Sequence, residues 1–350
     1  MKARPPRRLR CWCWSGVGLL LALLTAGLAN AGLPGGGRRP LVLEWDGTWI
    51  GDGLAFSPYR DGEAPYHRAP TDEEILADLR LVARHWRLLR LYELTPATER
   101  TLALIRREHL PLHAIIGAWV TADTTPAEKT KNRAELDGLI RLANAYPDIV
   151  LAAAIGNEAG VFWSGYRTAP ANLVRWAREV RAAIRQPVTC ADDFNFWNKP
   201  ESRAVAAELD FITLHAYALW NRQPLAGAFA WTIARYEEAV QFHPGIPILI
   251  GETGWATHHD PSRQQPGEEG FQMPAEVSDA AQADYLRQHF AWVRTHRVPV
   301  ILFEAFDENW KGGGSASPAG VVEKHWGLYD AQRRPKAAWQ AVARELFPEP

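Results

Sequence analysis

The 350-residue sequence predicts an α/β fold, a (β/α)8 TIM barrel that forms a single domain after an N-terminal signal peptide. Two observations predict it. Eight short apolar runs, each long enough for one buried strand, alternate with eight longer amphipathic patterns over about 300 residues. The rival doubly wound sheet needs a glycine-rich phosphate turn after its first strand, and Leu54-Ala55-Phe56-Ser57-Pro58-Tyr59 offers none.

Taken in order, residues 1–31 read as a signal peptide. Lys2, Arg4, Arg7, Arg8 and Arg10 precede an apolar run from Cys11 to Leu28, which ends in Ala29-Asn30-Ala31. Cleavage after Ala31 is expected, with an uncleaved N-terminal anchor as the alternative; either way the domain is exported, periplasmic or secreted. Residues 32–40 form a glycine- and proline-rich linker, and the barrel occupies 41–350. With 1–31 removed, Lys+Arg falls from 39 to 34 against 40 Asp+Glu, so net charge moves from −1 to about −6. No basic patch remains to bind nucleic acid or an anionic membrane. Cys11 and Cys13 leave as well, so Cys190 stands alone without an internal disulfide and reads as a small buried hydrophobe. A monomer is expected.

Within the barrel region, 41–45 and 48–50 flank Asp46-Gly47 and read as a hairpin that precedes the barrel or supplies its first strand. The candidate strands are 54–57, 88–92, 112–117, 149–155, 188–191, 211–214, 248–251 and 300–303. Helical patterns begin near Asp72, Pro96, Pro126, Ala169, Glu201, Leu225, Asp279 and Lys336. Thr71 with Glu74 and Thr125 with Glu128 fit the capping box, and Thr95-Pro96 places proline at a first helical position.

Reactive groups of such a barrel sit where strands end at the C-terminal mouth. The fourth run ends Gly156-Asn157-Glu158, the seventh Gly251-Glu252-Thr253-Gly254-Trp255, and the eighth Phe303-Glu304-Ala305-Phe306-Asp307-Glu308-Asn309-Trp310-Lys311. Buried carboxylates are costly unless paired or used. Two glutamates facing each other across the mouth are what glycoside cleavage requires, one protonating the leaving oxygen while the other attacks or activates water. Of the 16 tryptophans, Trp119, Trp163, Trp197, Trp220, Trp255 and Trp310 fall just beyond strand ends, where flat rings can stack on sugars. Three or four of them are expected on substrate, the rest bracing loops. Trp176, Trp231, Trp292 and Trp339 lie in helical patterns and read as packing.

These motifs resemble glycoside hydrolase family 17, the β-1,3-glucanases and β-1,3-glucanosyltransferases. Gly156-Asn157-Glu158 is similar to that family's acid/base motif and Gly251-Glu252-Thr253-Gly254-Trp255 to its nucleophile motif. The eighth strand end, Glu323-Lys324-His325-Trp326-Gly327-Leu328-Tyr329, Phe56-Ser57-Pro58-Tyr59 and Arg90-Leu91-Tyr92 continue the likeness through the mature chain. The resemblance implies Glu158 as acid/base, Glu252 as nucleophile, Asn157 on the sugar 2-hydroxyl, Tyr217 orienting the nucleophile, and Glu308 and Lys311 on sugar or in support. The expected substrate-binding set is Asn157, Tyr59, Tyr92, Trp119, Trp163, Trp197, His215, Tyr217, Trp220, Trp255, Glu304, Glu308, Trp310 and Lys311. One departure stands out: the family usually carries Pro-Tyr after the sixth strand, whereas this chain has His215-Ala216-Tyr217, which implies a changed subsite wall.

The expected reaction is therefore retaining hydrolysis or transfer on β-1,3-glucan through a glycosyl-enzyme on Glu252. A retaining barrel hydrolase of β-1,4-glucan or mannan, or a non-catalytic glucan-binding protein, is the alternative. No cofactor or metal is expected: His258-His259-Asp260 lacks metal-site spacing, and Lys311-Gly312-Gly313-Gly314-Ser315 lacks that of a phosphate loop and reads as a flexible segment over the cleft. His113 reads as core. The segment 256–277 could wall off one end of the groove.

Overall fold

A computed structural model describes residues 37–260, 276–312 and 321–347. The signal segment, most of the linker, the middle of 256–277 and residues 313–315 lie outside the described residues. Two strands, β1 (Glu44–Trp45) and β2 (Thr48–Trp49), pair antiparallel around Asp46-Gly47, whose φ angles of 48° and 72° suit the tight turn. Eight parallel strands then close a barrel: β3 (Asp52–Ala55), β4 (Leu88–Leu91), β5 (His113–Ala118), β6 (Val150–Asn157), β7 (Val188–Asp193), β8 (Ile212–His215), β9 (Ile248–Thr253) and β10 (Val300–Leu302). β10 pairs with β3 to close it, Val300 opposite Asp52 and Leu302 opposite Leu54. The hairpin is thus separate from the barrel, and the eight expected strands hold within about two residues.

Strand alternation sorts the apolar residues into two cores. Leu89, Leu91, Ala114, Ile116, Ala153, Ile155, Ile212, Leu214, Val300 and Leu302 face outward onto the helices. Leu88, Ile115, Ala152, Ala154, Leu249 and Ile301 fill the interior, which Leu43 and Ile50 of the hairpin plug from below. His113, at the start of β5, is buried there with its ring 3.9 Å from that of Trp45, far from the mouth.

The helices are α1 (Asp72–Val82), α2 (Pro96–Arg107), α3 (Pro126–Ala145), α4 (Pro170–Ala183), α5 (Phe194–Trp197), α6 (Ser202–Ala207), α7 (Leu225–Phe242), α8 (Asp279–His296) and α9 (Ala337–Leu346). Among the described α-helices only the one-turn α5 has no counterpart in the sequence pattern, because four residues are too few to show a period. Both capping boxes form, with Glu74 N–H donating to Thr71 and Glu128 N–H donating to Thr125. Thr95 makes no cap; its hydroxyl meets that of Tyr59 at 2.9 Å. Cys190 is buried on β7 and unpaired.

The linker reading needs a correction for its described part. Residues 37–40 are strapped to the underside of the barrel. Arg39 donates to the carbonyls of Arg181, Ile184 and Gln186 at 2.7–3.0 Å, and its backbone N–H donates to Asp210 at 2.7 Å. The Arg181 and Ile184 carbonyls are those left free at the C-terminus of α4, which an arginine satisfies by geometry and by charge against the helix dipole. Arg39→Ala is expected to cost roughly 1–3 kcal/mol, read as a lower urea midpoint with an unchanged slope. An unchanged midpoint would mean that the strap adds nothing to stability.

Candidate active site

Glu252 and Asn157 reach the mouth through the same backbone device. On β9 the pairing passes from Leu214 opposite Ile250 to His215 opposite Glu252, so β9 carries one extra residue at Gly251. On β6 it passes from Ala154 opposite Thr189 to Asn157 opposite Ala191, with one extra residue again. Such a bulge breaks the inside–outside alternation and re-aims the next side chain. Without it, Glu252 and Asn157 would point outward with Ile250 and Ile155. Glycine is required at both bulges. A Cβ on Gly251 would lie 2.1 Å from Thr213 Cγ2, and Gly156 has φ +76°. Glu158 follows at φ +50°, and Asp192 holds its loop by accepting from the N–H groups of Gly160 at 2.6 Å and Val161 at 3.2 Å.

The centre of the site is Arg90, buried inside the barrel on β4. Its Nη1 donates to Gly251 O and Glu252 Oε1, each at 2.8 Å, and lies 2.9 Å from His215 Nε2. Its Nη2 donates to Asn157 Oδ1 at 2.7 Å, which leaves the NH2 of that amide as the outward donor. Tyr217 donates its hydroxyl to Glu252 Oε2 at 2.7 Å. Burial by itself raises the Glu252 carboxyl, but His215, Arg90 and the Tyr217 hydroxyl outweigh it and hold it below the ordinary range. Glu252 is therefore ionised at neutral pH. Burial, with Glu252 next to them, pushes the Tyr217 and Tyr92 hydroxyls well up, so both keep their protons.

One oxygen of Glu158 and one of Glu252 lie within 4.8 Å of each other, with a His215 nitrogen equally near. Three such donors could surround a cation. Here the Arg90 guanidinium already occupies Glu252 Oε1 and His215 Nε2, and its charge opposes a second cation at that point.

Above this centre opens a cleft of about 500 Å3. Of the residues expected in it, Glu158, Glu252, Asn157, Tyr92, Trp119, Trp163, Tyr217, Trp220, Glu308, Trp310 and Lys311 line its wall. Five others do not. Tyr59 is buried edge-on against Trp310. Trp197 turns behind the barrel and donates to Thr213 O at 3.0 Å. Trp255 is buried against Tyr285 and donates to Glu276 O at 3.0 Å. Glu304 is buried under Lys311, 2.6 Å from its Nζ, and His215 is fully buried. Four of the six mouth tryptophans thus face the cleft and two brace it. The changed position after β8 is no wall either: Ala216 is buried and its N–H donates to Glu252 O at 3.0 Å, a bond proline could not make.

Ser57, Glu93, Asp193, Asn195, Asn221, Phe303 and Glu323 also line the cleft and were not singled out by sequence. Glu93 and Asp193 follow the strand-end carboxylate rule and were legible by it. Burial, then Glu308 and Glu135, push Glu93 up to about 8 against the pull of Lys311. A raised acid stays protonated in the folded state while the unfolded chain ionises, so this group costs stability as pH rises from its ordinary 4.5 toward 8. Glu93→Gln is expected to raise the unfolding midpoint, with a gain that grows across that window to about 1–3 kcal/mol after allowing for cleft water. A gain independent of pH would contradict the assignment.

A family model described as the BtgE/BtgC glycoside hydrolase domain matches residues 53–327, from the first barrel strand to the closing segment. The chain belongs to the BtgE/BtgC glycoside hydrolase family. A glucan 1,3-beta-glucosidase of Schizosaccharomyces pombe is 26% identical over 292 residues, covering 79% of this chain and 81% of that protein. An endo-laminarinase from Formosa superimposes with a TM-score of 0.74 at 22% identity, covering 85% of this chain and 89% of that one. A glycoside hydrolase family 17 β-1,3-glucanosyltransferase from Rhizomucor miehei superimposes with a TM-score of 0.65 at 21% identity, covering 82% and 95%. The family 17 resemblance read from the motifs is borne out, and this BtgE/BtgC-type protein is a glycosidase on a (β/α)8 barrel.

Proposed function

We propose that the protein cleaves β-1,3-glucan with retention, Glu252 acting as nucleophile and Glu158 as acid/base. The observation that carries this is the approach of the two carboxylates to within 4.8 Å. Retaining pairs stand about 5–5.5 Å apart, whereas inverting pairs need about 6.5–9.5 Å to seat a water between them. Ionised Glu252 attacks the anomeric carbon while the glycosidic C–O bond breaks and its oxygen takes the proton of Glu158. Glu158, now a carboxylate, then removes a proton from water or from a sugar hydroxyl, whose oxygen displaces Glu252 from the anomeric carbon. Asn157 presents its NH2 for the 2-hydroxyl, and Trp119, Trp163, Trp220 and Trp310 offer faces for sugar rings.

The β-1,3 linkage is supported by the relatives named as glucan 1,3-beta-glucosidases and the neighbours named endo-laminarinase and β-1,3-glucanosyltransferase. A product time course on a defined β-1,3-gluco-oligosaccharide, read by mass spectrometry and for anomeric configuration, tests it. β-Configured shorter products are the expected hydrolysis, and products longer than the starting sugar establish transfer. Cleavage of β-1,4 substrates alone would overturn the linkage, and α-configured initial products would overturn the mechanism.

Export is proposed on the basic start and apolar run of residues 1–31. Among the described residues no helix is long and apolar enough to cross a membrane. An exported form beginning at Gly32 is expected by N-terminal sequencing; one that keeps Met1 would mean an anchor.

A further inference from the structure

His215 is a titratable side chain at the centre of the site that the reaction above leaves without a task. It is fully buried and does not itself line the cleft, lying behind the two glutamates that do. Its two nitrogens are nevertheless both engaged, Nε2 at 2.9 Å from Arg90 Nη1 and Nδ1 at 3.0 Å from Glu158 Oε1. A guanidinium can only donate, so a protonated Nε2 would abut its N–H groups; Nε2 therefore turns its lone pair to Arg90 and shares the two Nη1 hydrogens with Gly251 O and Glu252 Oε1. Glu252 Oε1 lies 3.5 Å from Nε2, too far to compete for a proton there. Burial pushes the imidazole down to about 4, with Glu252 and Asp193 acting against it and Arg90 alongside it. The ring is therefore neutral at pH 7 and carries a single proton, on Nδ1, aimed at Glu158.

On the reading of Glu158 as acid/base, we propose that His215 is a positioning residue for that carboxyl. Locked by Arg90 on one side, it donates Nδ1–H to Oε1 of Glu158, so the transferable proton resides on Oε2. The imidazole keeps its own proton throughout. In the first step Oε2–H gives its proton to the leaving oxygen, and in the second Oε2 takes one from water or sugar. The hydrogen bond also fixes the rotation of a carboxyl group that is otherwise the more exposed of the pair, 22% against 7% for Glu252. Arg90 thereby holds both halves of the machinery, Glu252 directly and Glu158 through the imidazole. Such a device matters where the leaving group needs a proton and matters little where it does not.

The test compares kcat/KM of the whole protein on two substrates. One is a β-1,3-gluco-oligosaccharide, whose sugar leaving group must be protonated; the other is 2,4-dinitrophenyl β-laminaribioside, whose leaving group departs as the anion. His215→Phe is expected to lose about 10²-fold on the oligosaccharide and less than about threefold on the aryl glycoside. Equal losses on both would mean structural damage and overturn the proposal, as would no loss on either. If phenylalanine prevents folding, His215→Ala carries the same two expectations. His215→Asn keeps an N–H near the place of Nδ1 and is expected to return the oligosaccharide rate to within about tenfold of the unaltered protein. An asparagine variant no better than phenylalanine would refute the donated hydrogen bond. Failure of the unaltered protein to cleave either substrate would instead sink the reading of the site, and this proposal with it.

Discussion

Glu252→Ala is expected to reduce turnover of a β-1,3-gluco-oligosaccharide by about 10⁴–10⁶-fold while leaving the protein folded and able to bind it. The loss is large because no neighbour can substitute as nucleophile. Tyr217 keeps its proton, and Glu158 approaches from the opposite wall. Folding survives because Arg90 retains three partners, Gly251 O, Asn157 Oδ1 and His215 Nε2, so its charge is not left bare in the barrel. Binding survives because the tryptophan faces of the cleft are untouched. Calorimetric titration of the variant with laminari-oligosaccharide should give an affinity close to that of the unaltered protein. Added azide should restore slow turnover and yield an α-glycosyl azide, the product of one displacement instead of two. Residual activity above about one percent without azide would refute the assignment of Glu252.

Arg90→Leu is expected to be the most damaging change outside the cleft wall. It removes the partner of a buried carboxylate 162 residues away, which typically costs about 3–5 kcal/mol. It also unties Asn157 and His215 from the site, and a drop in kcat/KM of about 10²–10³-fold should follow. The pH dependence gives a sharper readout. In the intact protein the carboxyl of Glu252 is held below its ordinary value of 4.5, so it contributes stability above that pH which is lost as pH falls through the lowered value. Without Arg90 the burial of Glu252 acts with less opposition. The acid limb of the pH–rate profile should therefore move to higher pH, and the acid side of the stability curve with it. An unmoved acid limb would show that the Tyr217 hydroxyl and Lys311 suffice to keep Glu252 ionised.

Much of the protein was legible because it is written in local periodicity. The eight strands, both capping boxes and the start of every helix but the one-turn α5 follow from spacing of apolar residues and from the chemistry of the first helical turn. The two glutamates were legible for a related reason. A strand in this fold ends at the mouth, so a carboxylate at the end of an apolar run has an address before any coordinates are known.

Tertiary structure decided everything that depends on which way a strand-end residue turns. Trp197 and Trp255 stand at strand ends just as Trp119 and Trp220 do, yet they face away from the cleft, because one hydrogen-bonds Thr213 O and the other packs on Tyr285. His215 looked like a sugar contact and instead lies behind both glutamates. Arg90 sits in the apolar run Leu88-Leu89-Arg90-Leu91, and its four partners come from strands 67 to 162 residues further along the chain. Likewise, Arg38 and Arg39 looked like linker, and bind carbonyls about 140 to 170 residues distant. By itself the sequence determined the barrel, the place of each strand along the chain and the pair of carboxylates. Partner choice was left to the closed barrel, because inside–outside alternation is a local property that a single bulge reverses, whereas hydrogen-bond partners are chosen only when distant strands meet.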